Sequence, residues 1–248
     1  DGSHTEAACL VGADGMRSPV RESLGITTQG RDYGQSVFTA NVKLAAPHNG
    51  IARQLFTPEG PFATLPLPGQ RANLAWYMKR GAAEALAAGP VEDIEAELNH
   101  RFAGFAGEMT LDGPAGSYPL VLQIADSMIG PRAALVGDAC RRVTPLAGQG
   151  LNQGFRDVLA LSDALYEATR CGLDIGSATV LETYQADRRF EANSTALALD
   201  GIDILFSNDA GLPKAFRSFG LEAVSRIAPL RQMMARKASA TELPPIRF

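Results

Sequence analysis

The same short pattern occurs twice in this chain, and no other feature limits its possible folds as strongly. Residues 7–15 (AACLVGADG) and 131–139 (PRAALVGDA) are each an apolar run that ends in glycine and aspartate. Such a run, bounded by turn residues, predicts a buried strand. A short helix is predicted after the first run, with Ser18 as N-cap, Pro19 in its first turn and Gly25 as its stop.

Between the two patterns the sequence changes character. Residues 36–80 contain four runs rich in β-branched and aromatic residues, separated by proline and glycine, which predicts a largely antiparallel sheet. A helical period follows over 91–105, and another strand-like run over 117–125. We therefore predict an α/β (α+β) chain in which two α/β parts, at 7–30 and 131–170, flank an inserted β-rich part. Further helices are predicted at 177–206, 213–225 and 229–238.

The second pattern leads into a glycine-rich junction, GDACRRVTPLAGQGLNQGFRD over 137–157, and then into a long amphipathic helix. We predict that this helix starts at Gln149 or Gly150 and ends near Arg170. Its apolar face is predicted to comprise Leu151, Phe155, Val158, Leu159, Leu161, Leu165 and Tyr166.

The glycine-rich junction has the chemistry of a ligand site. A helix start offers N–H donors and a partial positive charge of about half a unit. Gly148 and Gly150 let a ligand approach the backbone, and Pro145 fixes the loop. Asp138 ends a strand, where ligands of open α/β sheets bind, and it can accept hydrogen bonds from sugar-like hydroxyls. A flavin has a polyhydroxyl chain and a ring that becomes negative on reduction. The alternative is that the glycines only allow tight packing.

Composition excludes several functional classes. The chain has 248 residues, a net charge of −4 and 46% hydrophobic residues, so a protein that coats nucleic acid is not expected. We predict no membrane-spanning segment, because no run of ~18 apolar residues occurs, and no signal peptide, because the first residues have no basic region followed by an apolar stretch. An odd number of distant cysteines favours a reducing, cytoplasmic environment. No metal site is predicted, and the histidines are taken as solvated or structural: His4, His48 and His100.

Two motifs resemble those of one enzyme family. LVGADGMRSPVRESLGI, from Leu10, resembles the Asp-Gly motif of class A FAD-dependent monooxygenases, and LVGDACRRVTPLAGQGLNQGFRDVLAL, from Leu135, resembles their Gly-Asp motif. Four further stretches are similar to the ubiquinone-biosynthesis hydroxylase branch: RDYGQ (31–35), TPEGPFATLPL (57–67), DIGSATVLETYQADRR (174–189) and LFSND (205–209).

The resemblance implies a domain plan with the fold of para-hydroxybenzoate hydroxylase. It predicts an incomplete FAD-binding Rossmann-like domain over 1–30 and 126–210, an inserted, largely antiparallel substrate domain over 31–125, and a C-terminal helical region over 211–248. The family's strand–GxGxxG–helix unit does not occur in the sequence, so we expect the chain to lack that N-terminal part.

The family's cofactor residues carry over by position. Asp14 and Gly15 would lie near the pyrophosphate and ribose of FAD, and Arg21 would contact phosphate or, alternatively, lie on the surface. The flavin and its ribityl chain would contact Gly137, Asp138, Pro145, Gly148, Gln149, Gly150, Leu151 and Asn152. Arg141 occupies the position where the family often has histidine. Three alternatives are open for its side chain: an ion pair with an acid, an ion pair with the pyrophosphate, or exposure to solvent. Asp157 is taken as a structural residue, and no catalytic residue is assigned.

The resemblance also implies an activity. NAD(P)H would reduce FAD, which would transfer oxygen from O2 to an aromatic ring, here that of a polyprenylated phenol. The middle sheet would cover the substrate cavity, with a core position as the alternative for Trp76 and Phe56. The cavity candidates are Gln54, Phe56, Leu65, Leu67, Trp76 and Met78.

Three alternatives for function and partners stay open. The enzyme could act on a soluble aromatic or secondary metabolite, or the chain could be a non-catalytic binding or assembly subunit. The basic and apolar tail at 213–238 could contact the inner membrane peripherally, or form a solvated face of helices. Membership of a biosynthetic complex and self-association are also open.

Overall fold

A computed structural model of the protein describes residues 2–142 and 149–189. The helices are α1 (Pro19–Ser23), α2 (Arg80–Ala87), α3 (Val91–Ala106), α4 (Gln149–Arg170) and α5 (178–189). The strands are β1 (Leu10–Gly12), β2 (Thr28–Leu44), β3 (Arg53–Thr57), β4 (Gly60–Leu67), β5 (Arg71–Lys79), β6 (Met109–Leu111), β7 (Gly116–Ala125), β8 (Ile129–Gly130), β9 (Ala133–Leu135) and β10 (Arg141–Arg142). A short 3-10 turn covers Gly137–Ala139.

The chain forms two compact units. One contains Asp32–Leu120, and the other contains the described residues up to Arg31 and from Val121 onward. The domain limits predicted from sequence, after residues 30 and 125, stay a prediction. The predicted helices at 213–225 and 229–238 lie outside the described residues. Within the described part, no helix is both long enough and apolar enough to cross a membrane.

The unit that contains both glycine–aspartate motifs is built on a small sheet in the order β1, β9, β8. β1 and β9 run parallel, with Gly12 opposite Leu135. β9, α4 and α5 share one core, in which the Tyr184 hydroxyl donates a hydrogen bond to the Leu135 carbonyl at 2.7 Å. The core of this unit includes Leu135, Val136, Leu161, Leu181 and Tyr184.

The local signals at the first motif predict α1 correctly. The Ser18 hydroxyl accepts a hydrogen bond from the Arg21 N–H at 2.9 Å, Pro19 opens the helix, and Gly25 follows it with a φ of +66°. This left-handed conformation ends a helix most easily with glycine. The strand at 7–15 also forms, but its predicted burial is wrong: Leu10 and Val11 are 49% and 42% exposed. Among the described strands, β1 lies at the edge of its sheet and pairs with β9 alone.

The other unit confirms the predicted antiparallel sheet. Its strand order is β2, β5, β4, β3, with β6 added along β2. α3 presents Ile94, Leu98 and Phe102 at helical spacing, and these side chains are buried in one core with residues of β2, β4 and β5. The sequence did not predict α2, which follows β5 directly.

The bounds of α4 are as predicted, but its buried face is not. Leu151, Phe155 and Val158 are 68%, 49% and 50% exposed, whereas Gln153 and Asp157 are 3% and 0% exposed. The predicted apolar face is therefore wrong over the first half of the helix. Polar side chains occupy the buried positions there because arginines from distant parts of the chain pair with them, as described below.

Candidate cofactor site

The two motifs leave the same edge of the small sheet. Because β1 and β9 are adjacent and parallel, the Asp-Gly loop after Gly12 and the Gly-Asp turn after Val136 both lie at the carboxyl ends of strands. The Val136 N–H donates a hydrogen bond to the Gly12 carbonyl at 3.0 Å. A ligand of an open α/β sheet binds at this edge, so the fold brings together the two segments that the sequence marks.

Asp14 contacts the first turn of α1 and yet remains accessible to solvent. One carboxylate oxygen accepts a hydrogen bond from the Val20 N–H at 3.0 Å, and the side chain is exposed. Desolvation raises the pKa of Asp14, but hydrogen bonds from Ser18 and Val20 outweigh it, so its pKa is below the usual value. A Cβ added to the next residue, Gly15, would have no described atom within 4 Å. Both residues are therefore placed where a polar ligand could reach them.

Arg21 is a buried cross-link between the motifs. It is 5% exposed, and its guanidinium donates hydrogen bonds to the Ala139 carbonyl and the Met16 carbonyl, both at 2.8 Å. The alternative of a surface arginine is wrong. Its predicted contact with phosphate stays a prediction. The observed role ties the Asp-Gly loop to the Gly-Asp turn.

The Gly-Asp turn packs tightly against α4, and its Asp138 side chain is exposed. Gly137 has a φ of +60°, and a Cβ on Gly154 of α4 would lie 3.4 Å from the Gly137 Cα, so glycine serves both the turn and the packing. Asp138 is exposed, and its carboxylate makes no hydrogen bond to any residue in the described ranges. The turn thus presents an accessible acceptor at the predicted ligand edge.

A buried ionic network supports this turn. The Asp157 carboxylate is 0% exposed and accepts two hydrogen bonds from Arg141 at 2.6 Å, one from Arg188 at 2.9 Å and one from the Gly137 N–H at 3.1 Å. Arg188 also donates to the Gln153 amide oxygen at 2.8 Å. Of the alternatives for Arg141, the structure has the pairing with an acid, and the solvated one is wrong because its side chain is 2% exposed.

Gly150 is the second residue of α4. A Cβ on Gly150 would meet no described atom within 4 Å, so no contact with the described residues requires glycine there. Close approach of a ligand to the backbone would account for this glycine, and that role stays a prediction. Leu151 is 68% exposed and Asn152 is half-buried. Pro145, Gly148 and the side chain of Gln149 lie outside the described residues.

The donor set therefore fits FAD. An exposed carboxylate and a glycine-lined helix start follow adjacent parallel strands, as a ribityl chain and an electron-accepting ring would require. Sequence reasoning gave an acid as one alternative partner of Arg141 and a structural role for Asp157, but it identified neither their pairing nor the part of Arg188. No local pattern marks this network, because its members are brought together only by the fold.

The cavity candidates divide between the two faces of the sheet in the other unit. Gln54 lies opposite Ala63, which lies opposite Ala75, and Leu65 lies opposite Asn73. Gln54, Phe56 and Leu65 therefore share the face that α3 does not cover, and all three are exposed, whereas Leu67 is half-buried. Their contact with a substrate stays a prediction.

The cavity prediction for Trp76 is wrong. Its side chain is 0% exposed and lies on the opposite face, edge-on to Phe62 at 6.5 Å and to Phe102 of α3 at 4.9 Å between ring centroids. It is a core residue because α3 packs on that face. Met78, which shares that face, borders a cavity of about 740 Å³ with Leu86 and Arg101.

The sheet face that α3 does not cover also carries a polar cluster that the sequence did not reveal. The Asn73 amide donates hydrogen bonds to the Thr39 hydroxyl at 3.2 Å and to the Asn41 amide oxygen at 2.9 Å. These half-buried side chains lie beside Leu65, which pairs with Asn73 in register. This face can therefore contact both a polar ring substituent and an apolar group.

Comparisons with known proteins agree with the geometry. The profile of a family described as the FAD binding domain matches residues 1–196. The ubiquinone hydroxylase UbiL of Rhodospirillum rubrum is 43% identical over 97% of this chain and 56% of its own length. The 3-demethoxyubiquinol 3-hydroxylase of Escherichia coli is 34% identical over 96% of this chain and 60% of its own length.

Among solved structures, the anhydrotetracycline hydroxylase OxyS of Streptomyces rimosus is similar. It is 28% identical, with a TM-score of 0.69, over 96% of this chain and 47% of the OxyS chain. The chain thus spans only about half the length of the relatives that it matches.

Proposed function

We propose that this chain, which belongs to the FAD binding domain family, serves in an FAD-dependent monooxygenase that hydroxylates an aromatic ring with NAD(P)H and O2. One observation carries the proposal. The Asp-Gly loop and the Gly-Asp turn emerge from adjacent parallel strands and are joined by Arg21, and Asp138 of the Gly-Asp turn is exposed.

Each part of this edge has a task toward FAD. Asp138 would accept hydrogen bonds from the ribityl hydroxyls, and Asp14 and Gly15 would contact the ribose and pyrophosphate. The backbone from Gly150 to Asn152 would face the ring. Because this backbone is the first turn of α4, its N–H groups and dipole favour negative charge at that place.

When bound, FAD supplies the redox chemistry, taking electrons from NAD(P)H and passing one oxygen atom of O2 to the ring of the substrate. The residues of this chain bind and orient the cofactor. Asp157 holds the Gly137 N–H and so fixes the turn that carries Asp138. Arg21 fixes the same turn from the side of the Asp-Gly loop.

We infer that the substrate is a polyprenylated phenol of ubiquinone biosynthesis. The likeness to UbiL and to the E. coli 3-demethoxyubiquinol 3-hydroxylase supports this inference. The sheet face that α3 does not cover supports this substrate class as well. The amides of Asn41 and Asn73 can form hydrogen bonds with ring oxygens, and Phe56 and Leu65 offer exposed apolar surface.

A soluble polycyclic aromatic is the second candidate substrate. The likeness to OxyS favours it, at 28% identity. The 43% identity to UbiL makes the polyprenylated phenol the better supported of the two. Contact of residues 213–238 with the inner membrane, a biosynthetic complex, self-association and a cytoplasmic location remain proposals without further support from the described residues.

The experiment has two steps. FAD is first titrated into the purified full-length protein, which includes the N-terminal part that this chain is expected to lack, and flavin absorbance that co-elutes with the protein is the expected result. NAD(P)H oxidation and incorporation of ¹⁸O from labelled O2 are then compared for a phenol with a short prenyl tail and for the same phenol without it. Labelled product mainly from the prenylated phenol supports the proposal. Equal or better turnover of the tail-less phenol supports the second candidate, and protein that never binds FAD contradicts both.

A further inference from the structure

Buried charged groups contact the backbone of the Gly-Asp turn: Arg21 at the Ala139 carbonyl and Asp157 at the Gly137 N–H. Arg21, Arg141 and Arg188 are 5%, 4% and 4% exposed, and Asp157 is 0% exposed. All three guanidinium groups act on the thiol of Cys140 at the end of the turn. Burial raises the pKa of this thiol to about 11; the three arginines oppose that rise, and the charge of Asp157 adds to it. The positive charges therefore act at the turn itself.

Among the buried groups that the structure describes around this turn, positive charge exceeds negative charge, and the carboxylate of Asp138 on the turn itself is exposed to water. Arg141 and Arg188 share the single Asp157 carboxylate, whereas Arg21 donates its hydrogen bonds to two carbonyls. Even if Arg188 is set aside because it has a further partner, two cations face one anion. Asp14 lies within electrostatic range of Arg21, but it is exposed, so water screens it.

The fixed charge lies in the part of the fold that would hold the flavin. Asp157 and Gln153 are on α4, one to two turns after Gly150, and Arg141 follows the turn that carries Asp138. Charge inside a protein acts through a lower effective dielectric than charge in water, so it is felt over a longer distance. The excess charge of the arginine cluster is positive, like the partial charge at the N-terminus of α4, so the two electrostatic effects add.

We propose that Arg141, held by Asp157 and assisted by Arg21, sets the reduction potential of bound FAD. The proposal rests on the proposed function. On reduction by NAD(P)H, which is oxidised to NAD(P)⁺, the ring takes up two electrons and gains negative charge. A fixed positive charge stabilises that state more than the oxidised one, so it raises the potential. Arg141 acts through charge and through the turn, as a positioning residue.

Substitutions of opposite charge separate this effect from a loss of packing. Arg141→Met removes one positive charge and is expected to lower the midpoint potential. Asp157→Asn removes one negative charge and is expected to raise it. Each shift should be on the order of tenfold in the reduction equilibrium constant, which is about 30 mV for a two-electron couple. Arg141→Lys keeps the charge and should stay near the parent value.

The potential is measured in the purified, FAD-loaded protein by anaerobic equilibration with a reference dye, independently of turnover. The double variant Arg141→Met/Asp157→Asn leaves the net charge unchanged and should return close to the parent potential. If Arg141→Met does not fold, Arg188→Met removes a charge from the same carboxylate and has the same expected direction.

Opposite shifts in the two single variants support the inference. Shifts in the same direction, or potentials equal to that of the parent, overturn it while leaving the proposed function intact. A parent protein that binds no FAD overturns the proposed function and this inference together.

Discussion

Removing the Asp157 carboxylate should destabilise the fold far more than a surface change does. Asp157→Ala leaves Arg141 and Arg188, whose side chains are 2% and 4% exposed, without their shared acceptor, and it frees the Gly137 N–H. Loss of one partner from a buried ion pair costs about 3–5 kcal/mol. For a chain of this size that free energy lowers the melting temperature by roughly 6–20 °C.

The assay is urea unfolding followed by circular dichroism, with Asp163→Ala as the matched control. Asp163 is on the same helix and is half-buried, and it makes no side-chain hydrogen bond within residues 2–142 and 149–189. Arg141→Met should cost less than Asp157→Ala, because Arg188 still pairs with the carboxylate. A free energy of unfolding for Asp157→Ala within about 1 kcal/mol of the Asp163→Ala value would show that this buried ion pairing does not stabilise the fold.

Three further outcomes follow from the geometry. Cys140, buried with a pKa raised to about 11, should resist iodoacetamide at pH 8 while the exposed Cys171 is alkylated, as mass spectrometry would show; equal labelling contradicts this. Hydrogen bonding from Arg132 lowers the pKa of Asp174 to about 2, so its stabilising effect is present above about pH 4 and lost as pH falls towards 2. Asp174→Asn should therefore flatten the acid dependence of unfolding between pH 4 and 2, and an unchanged profile counts against the ion pair. Gly150→Ala should leave the unfolding free energy at or above that of the parent but weaken FAD binding; loss of stability instead would mean that packing requires the glycine.

Local signals in the sequence predicted most of the elements. The Ser18 cap, the helical period of α3 and the length of α4 were all correct, because each depends on residues close together in the chain. The β-rich middle was likewise recognised from alternating runs between Pro and Gly. The resemblance added the family, which the comparisons confirm.

The orientation of elements could not be predicted in the same way. Alternation along β5 does not say which face α3 covers, so the sequence left Trp76 open between a cavity and the core, and the structure places it in the core. The hydrophobic pattern of α4 pointed to Leu151 and Phe155 as buried, but the fold buries Asp157 instead. The partners that make this possible, Arg141 and Arg188, are separated from one another by a long stretch of chain, and no local pattern predicts their contact.

FAD affinity is the measurement that tests the account most directly. Asp138 is exposed, so Asp138→Ala should leave the free energy of unfolding within about 0.5 kcal/mol of the parent. Loss of its charged hydrogen bonds to the cofactor should weaken FAD binding about tenfold to a hundredfold. Equal affinities for the parent and Asp138→Ala, measured by titration of the purified proteins, would contradict a cofactor site at this edge.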